Sequence, residues 1–555
     1  MFLLTALVYP GVLAILCLGA GLLVDRASGS FLPAALLPAV GLAALIAISQ
    51  LCTYASPLAP GTPYVIVLAA FAGAAFARAR VAAIARRARS WAALALLPLT
   101  AYALALAPVL LAGRPSFSSY LALADSAVHI VGADYLVRHG QSYSHLDLRN
   151  SYGLTINAYY NSSYPSGADT FLGASARLLA LPVIWAFQPF NAFVLAIASG
   201  PAWVLARRIA LRGVLAALAA LAATTSALVY GYELIGSIKE LVALCMILSL
   251  GAIAVMHRRW LDGAPNRAIP LALVLAAGIS SLGAGFGAWG LATLAVLATI
   301  AAASVRAGRL HGRTVLLLGG AAAFATLIAA LPTFANLSGS LHVATSIAST
   351  SNPGNLREPL HWQQVLGMWL HGSYKQQPTG TAGVFTDGLI VVTLASCALG
   401  AYGLVRARLY ALLAWFGAIV ALLLLVSLYA TTWVEAKGLV ITSPVVVLGA
   451  WAGVAALRAR VRAQARSRSP SFSLAVRSPP MRRNITVPPS RRPRDMKSSP
   501  RSTAPSPTAG PHCSPTSTNT RCMSCATSTS VDPTSRLPLH RSPPSPPQGT
   551  AVASR

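Results

Sequence analysis

Charge is what this 555-residue chain most lacks: Lys, Arg, Asp and Glu make up 10% of it, where a soluble globular domain carries about 25%. Acidic residues are scarcest, 13 in all, and only four of the 42 basic residues are lysine. So little charge, with 55% hydrophobic residues and a mean hydropathy of +0.64, excludes a soluble, disordered or collagen-like protein for the bulk of the chain. Paired cysteine spacing is missing too, so no disulfide framework is expected. Cys17, Cys52, Cys245 and Cys397 fall in apolar runs, while Cys513, Cys522 and Cys525 lie near the end, where one lone C-x-x-C is a weak metal signal. What remains is an all-α polytopic protein of the cell membrane, with membrane lipids as its surroundings.

Apolar runs long enough to cross a bilayer lie near 2–24, 31–52, 63–78, 92–112, 183–206, 213–231, 239–256, 268–285, 287–304, 314–333, 386–405, 409–428 and 438–456, thirteen in all. With thirteen spans, the basic clusters at 78–89, 207–212, 258–267, 306–313 and 406–408 all fall on one side. The positive-inside rule makes that side the cytoplasm. The count requires that 167–182 does not cross; bracketed by Pro165 and Pro182, it is expected to lie at the membrane surface. Three regions result: N-terminal membrane helices over 1–91, a membrane core over 92–456 with long outer loops at 113–182 and 334–385, and a basic tail over 457–555. Loops longer than about 15 residues are usually functional, so chemistry is sought there.

The rare carboxylates support that choice. Of the eleven in residues 1–457, only Asp25 and Asp262 fall on the cytoplasmic side. Asp125, Asp134, Asp147, Asp169, Glu233, Glu240, Glu358, Asp387 and Glu435 belong to outer loops or outer helix ends. Three of the four lysines, Lys239, Lys375 and Lys437, also face outward, against the charge bias. Lys239 and Lys437 open apolar spans in G-S-I-K-E-L and V-E-A-K-G-L, where a cation opposes the helix dipole by roughly 0.3–1 kcal/mol. Two readings are open: snorkelling to lipid headgroups, or a positive floor for a phosphate at the outer face. In the first outer loop, Asp125 and His129 stand four apart and share a helix face. Asp125 suits a general base toward an acceptor hydroxyl, with His129 as its hydrogen-bond partner or a metal ligand. The bland alternative is a solvated helix face.

D-S-A-V-H in an outer loop, a helix ending R-H-G, and Y-P-S-G-A-D opening the next membrane-proximal helix together resemble the GT-C class of membrane glycosyltransferases, over roughly residues 92–456. The resemblance implies a polytopic enzyme that uses a polyprenyl-phosphate sugar as donor on the extracytoplasmic side. It implies that Asp125 matches the loop acid taken as base, or as ligand to a divalent metal in some members. It also implies that Lys239, Glu240 and Lys437 lie near the donor phosphate. Two departures stand out: three spans precede the region of resemblance, so that four lie ahead of the motif where many members have one, and no second acid adjoins Asp125. Arg357 and Lys375 are further cations for the leaving phosphate. Tyr143, Tyr152, Tyr159, Tyr160, Tyr164, Trp362 and Trp369 offer sugar-stacking rings, each also a candidate for the interfacial aromatic belt. A transporter or flippase of lipid-linked glycans is the main alternative and predicts charges within spans and broken helices; a polymerase or ligase of lipid-linked glycans and a non-enzymatic scaffold are the others. The Gly-rich stretch at 281–290 lacks the βαβ context of a dinucleotide fingerprint and reads as a tight outer hairpin.

The tail has its own character. Residues 1–457 hold 25 Lys and Arg against 11 Asp and Glu, while 458–555 hold 17 against 2. The tail has no Tyr or Trp and is rich in Arg, Ser, Pro and Thr, so it cannot bury a core and is expected to be disordered. No nucleic-acid partner is inferred from its charge. Its texture is that of GC-rich coding DNA read out of frame: codons for R-S-R-S-P-S at 466–471 can read Val-Ala-Val-Ala-Val in a shifted frame. A frameshift near 464–468 is one expectation and a basic cytoplasmic tail the other; resequencing the junction decides between them.

Overall fold

A bilayer offers no water to backbone N–H and C=O groups, so Ala/Leu/Val runs inside it satisfy their own hydrogen bonds as helices. A computed structural model describes residues 2–86, 88–111, 124–144, 146–349, 356 and 358–468, and among these every regular element is helical. Among the described residues eleven helices are long and apolar enough to cross a membrane, or twelve if one bent pair counts as a single span. They coincide with the expected runs; at the fourth, the helix Ala88–Leu111 holds a shorter apolar stretch, Ala95–Leu111. In Ile238–Val255 94% of the residues are buried, whereas the apolar 18-residue stretches of Gly312–Ala329 and Gly380–Arg406 have 17% of theirs buried and present Leu, Val and Phe side chains outward.

Helix association in lipid depends on close packing, because lipid tails are as apolar as leucine. The first three spans, Leu4–Ala27, Ala34–Tyr54 and Ser56–Phe76, meet through glycine. A Cβ on Gly41 would lie 1.7 Å from the Cys17 carbonyl oxygen, and one on Gly73 would lie 1.9 Å from that of Gly19. These three helices belong to the same compact unit as the rest of the bundle.

The ends of the helices sort by chemistry. At one end, Arg80 Nη2 donates to the Leu32 carbonyl at 2.8 Å and its guanidinium lies 3.7 Å from Asp25. There too, Asn266 donates to the Ala27 carbonyl and Arg267 pairs with Asp262 at 3.8 Å. At the opposite end, Gln50 meets Thr333, and Gln141 N–H donates to the Thr53 carbonyl. The hairpin expected over 281–290 is here, turning at Gly283 with φ +66° against Pro165.

Three features depart from the sequence reading. The segment expected at the membrane surface is the helix Gly167–Leu178, and residues 167–176 are all buried within the bundle. At about 1.5 Å per residue its 12 residues are too short to cross. Small side chains (Gly167, Ala168, Gly173, Ala174, Ser175, Ala176) let neighbouring helices close around it, and Ser175 Oγ lies 2.9 Å from Tyr9 Oη of the first span. Second, the run 213–231 is two helices, Val214–Thr224 and Ala227–Leu234, bent by 52°. The second outer loop and the last helix close the break: Ala227 N–H donates to the Gly367 carbonyl at 3.1 Å, and Ser226 Oγ lies 2.9 Å from Ser443 Oγ of the helix Thr432–Arg468. Third, the last helix, Thr432–Arg468, continues a dozen residues past its expected end. The tail from 469, with the proposed frameshift product, lies outside the described residues, as do Arg357 and residues 112–123 of the first loop.

Candidate functional site

The first outer loop builds the site from three short helices. Ala124–His139 carries Asp125 in its first turn and His129 one turn on; Ser126 Oγ ties its start to the Ile235 carbonyl at 3.0 Å. Ser151–Tyr159 is capped by Asn150, whose side chain accepts from Gly153 N–H at 2.7 Å. Beyond it the chain reverses through Ser163 (φ +66°), setting the Tyr160 and Tyr164 rings edge to face at 6.0 Å. Gly167–Leu178 then supplies Asp169 in its first turn, where a carboxylate favours the helix dipole.

His129 pairs with Asp169. Its Nδ1 lies 2.9 Å from Asp169 Oδ1, with both side chains sealed from solvent. Tyr160 Oη donates to Asp169 Oδ2 at 2.7 Å and also reaches the Val128 carbonyl at 3.2 Å. The arrangement locks the His129 helix to the Tyr160 loop. Asp125, half-buried, stands one turn before His129 on this helix, whereas Asp134 further along pairs with Arg138 at 2.8 Å.

Both candidate lysines turn inward to protein instead of outward to lipid headgroups. Lys239 is 5% exposed; its Nζ donates to Tyr164 Oη and sits 3.8 Å from the Tyr164 ring centroid. Lys437 Nζ lies 3.0 Å from Glu240 Oε1, and Glu240 is 4% exposed. The expected positive floor is therefore partly neutralised by Glu240. Tyr164 is the hub. Burial pushes its phenol well above the ordinary range; Lys437 pulls it down, while Asp125, Glu240 and Asp169 push it further up. Burial, and then the Asp169 charge, holds the Tyr160 phenol up in the same way.

No known protein family, curated protein or solved structure matches this chain. The fold and its helices establish a multi-pass, all-helical membrane protein. Around Tyr164, Lys239 and the His129 ring lie close, Lys437 pairs with Glu240, and the charges of Lys437, Asp125, Glu240 and Asp169 act on the Tyr164 phenol, although these residues span more than 300 positions of sequence. Lys375 stands next door: its Nζ lies 5.8 Å from the Tyr374 ring, and the buried Tyr374 phenol is pushed up by burial and by Glu240. Trp369 is elsewhere in the second loop, stacked on His361 at 5.5 Å with its Nε1 donating to the Gln376 carbonyl. Among the described residues no three His, Cys, Asp or Glu side chains are grouped to hold a metal ion, and His129 meets a single carboxylate.

Asp169 and Tyr160 were visible in the sequence only as one outer acid and one aromatic among several. Asp169 meets Tyr160 nine residues before it and His129 forty residues before it, with no fixed spacing to mark either contact. A second polar feature was also hidden. Gln188 Nε2 donates to the fully buried Glu233, while Glu233 Oε2 and both amide atoms of Asn191 lack hydrogen-bond partners among the described residues.

Proposed function

We propose that the protein is a membrane glycosyltransferase of the GT-C kind, moving a sugar from a polyprenyl-phosphate donor to an acceptor hydroxyl on the extracytoplasmic face. The observation that carries this reading is the gathering of two lysines, three carboxylates and a histidine around Tyr164 at the end of the bundle opposite the arginine clusters. A lipid-phosphate sugar is apolar at one end and anionic at the reacting end, so it is met at such a helix end. In the proposed reaction the acceptor oxygen attacks the anomeric carbon, and the bond from that carbon to the phosphate oxygen breaks. The electron pair leaves with polyprenyl phosphate, whose charge Lys239 and Lys437 stabilise. The acceptor proton goes to the Asp125 carboxylate. His129, held by Asp169, which Tyr160 holds in turn, positions the helix that carries Asp125.

A polyprenyl-phosphate-sugar transfer assay in membranes tests the proposal. Asp125→Asn should lower turnover by roughly 10²–10⁴, the usual contribution of a positioned acid or base. Turnover within about threefold of wild type, with the protein folded, would refute the role. A second reading, a carrier of lipid-linked glycans, is favoured by one feature, the bent Val214–Leu234 pair with buried Glu233. It expects translocation without transfer, abolished by Glu233→Gln and indifferent to Asp125→Asn.

A further inference from the structure

Beside the charged cluster lies a cavity of different character, about 270 Å³, bounded by the end of Ala34–Tyr54, the Tyr160–Ser166 turn and the chain around Pro332–Ser340. None of its lining side chains bears a formal charge. Gln50, Gln141, Asn161 and Asn336 contribute amides, each with donors and acceptors, and Tyr54 and Tyr164 contribute rings. Gln50 is 2% exposed; its Nε2 donates to Thr333 Oγ1 at 3.0 Å, and its Oε1 lacks a partner among the described residues. Tyr160 and Tyr164 belong to both the cavity and the charged site, their hydroxyls already engaged by Asp169 and Lys239. The two rings therefore form a partition, with charges on one side and neutral amides and hydroxyls on the other.

We propose that this cavity binds one neutral sugar ring and so holds the acceptor of the transfer. Amide and hydroxyl groups with nearby aromatic rings match the hydroxyls and the apolar faces of a pyranose or furanose. An uncompensated phosphate, carboxylate or ammonium would be desolvated there without a counter-charge. The volume lies just below the roughly 300–1,000 Å³ of pockets that take drug-sized ligands, which suits a single ring over an oligosaccharide. A hydroxyl of a ring seated against Tyr164 comes to the edge of the site where Asp125 and Lys239 act on that tyrosine. The acceptor role rests on the glycosyl-transfer reading; the neutral-sugar site does not.

The test is equilibrium binding to the purified full chain in lipid nanodiscs, read by intrinsic fluorescence and calorimetry. The probes are methyl glycosides of neutral hexoses and pentoses, with glucuronic acid, glucosamine and glucose 6-phosphate as charged counterparts. At least one neutral glycoside should bind saturably and at least tenfold tighter than every charged probe. Asn336→Ala, at an exposed rim position, and Gln50→Leu should each weaken that binding at least tenfold. The rim variant keeps the test valid if the buried one fails to fold. Absence of saturable binding across the panel, equal binding of charged probes, or binding unchanged in Asn336→Ala would overturn the site. Neutral-sugar binding with no transfer from a polyprenyl donor would leave the site standing and defeat the glycosyltransferase reading. Transfer to a charged acceptor alone would leave the glycosyltransferase reading standing and overturn the cavity's acceptor role.

Discussion

Asp169 offers the sharpest test of how the site is held. Its carboxylate is fully buried and accepts from two donors, His129 Nδ1 at 2.9 Å and Tyr160 Oη at 2.7 Å. Asp169→Leu leaves both without that acceptor at roughly 1–3 kcal/mol each, and the Val128 carbonyl, 3.2 Å from Tyr160 Oη, offsets part of the second. The expected loss is therefore about 2–5 kcal/mol. Asp169→Asn keeps one oxygen and turns an NH₂ toward the other donor, so about 1–3 kcal/mol is expected. Tyr160→Phe removes one hydrogen bond to a charged group, worth about 1.5–3 kcal/mol. Reversible unfolding in mixed micelles measures all three, and the Asp169→Asn/Tyr160→Phe double variant measures their coupling. The two losses should overlap by 0.5 kcal/mol or more, as for residues in contact (about 0.5–3 kcal/mol). Asp169→Leu within about 0.5 kcal/mol of wild type, the usual range for an unimportant surface change, would refute the network.

Gly41→Ala places a methyl on the Cys17 carbonyl and should cost about 1–3 kcal/mol or more in the same unfolding assay, whereas Gly11→Ala, with open space around it, should be nearly neutral. In a background without native cysteines, Asn150→Cys and Asn355→Cys should react with an impermeant maleimide in intact cells and Arg309→Cys should not; protection of both loop positions would reverse the orientation. Burial raises the Tyr160 and Tyr164 phenols above the ordinary value of about 10. Between that value and the raised folded ones the native state binds more protons than the unfolded chain, so stability should be flat below about pH 9.5 and fall above about pH 10. A double Tyr160→Phe/Tyr164→Phe variant should flatten the fall, and an unchanged slope would show that other groups cause it.

Hydropathy made the spans legible because each helix buries apolar side chains against lipid or neighbours along its whole length. It could not show the break at Thr224–Ala227, since both halves are apolar and the chain is turned by contacts from Gly367 and Ser443, far away in sequence. Nor could it show that Gly167–Leu178 is enclosed by neighbouring helices. A stretch of Gly, Ala and Ser looks neither fully apolar nor polar, and small size becomes a reason for burial only when neighbours are known to close around it. The lysines were legible because their position opposes both the helix dipole and the charge bias, so something had to receive them. Lys437 found Glu240 and Lys239 found Tyr164. His129 was assigned a partner on its own helix face, whereas its nearest carboxylate came from another helix. Trp369 had chemistry suited to sugar stacking and nothing in the sequence to say that the loop folds it onto His361.

The Lys437–Glu240 pair also sets an order of events during synthesis. Glu240 and its neighbour Lys239 emerge about 200 residues before Lys437, roughly 10–40 s earlier at 5–20 residues per second. Through that interval Glu240 waits at the rim of a growing bundle with Lys239 as its adjacent counter-charge. Only entry of the helix Thr432–Arg468 supplies the second cation and the Ser443 contact that braces the bent pair. Insertion of the last span thus completes the charge pair and the brace on the bent helices in one step.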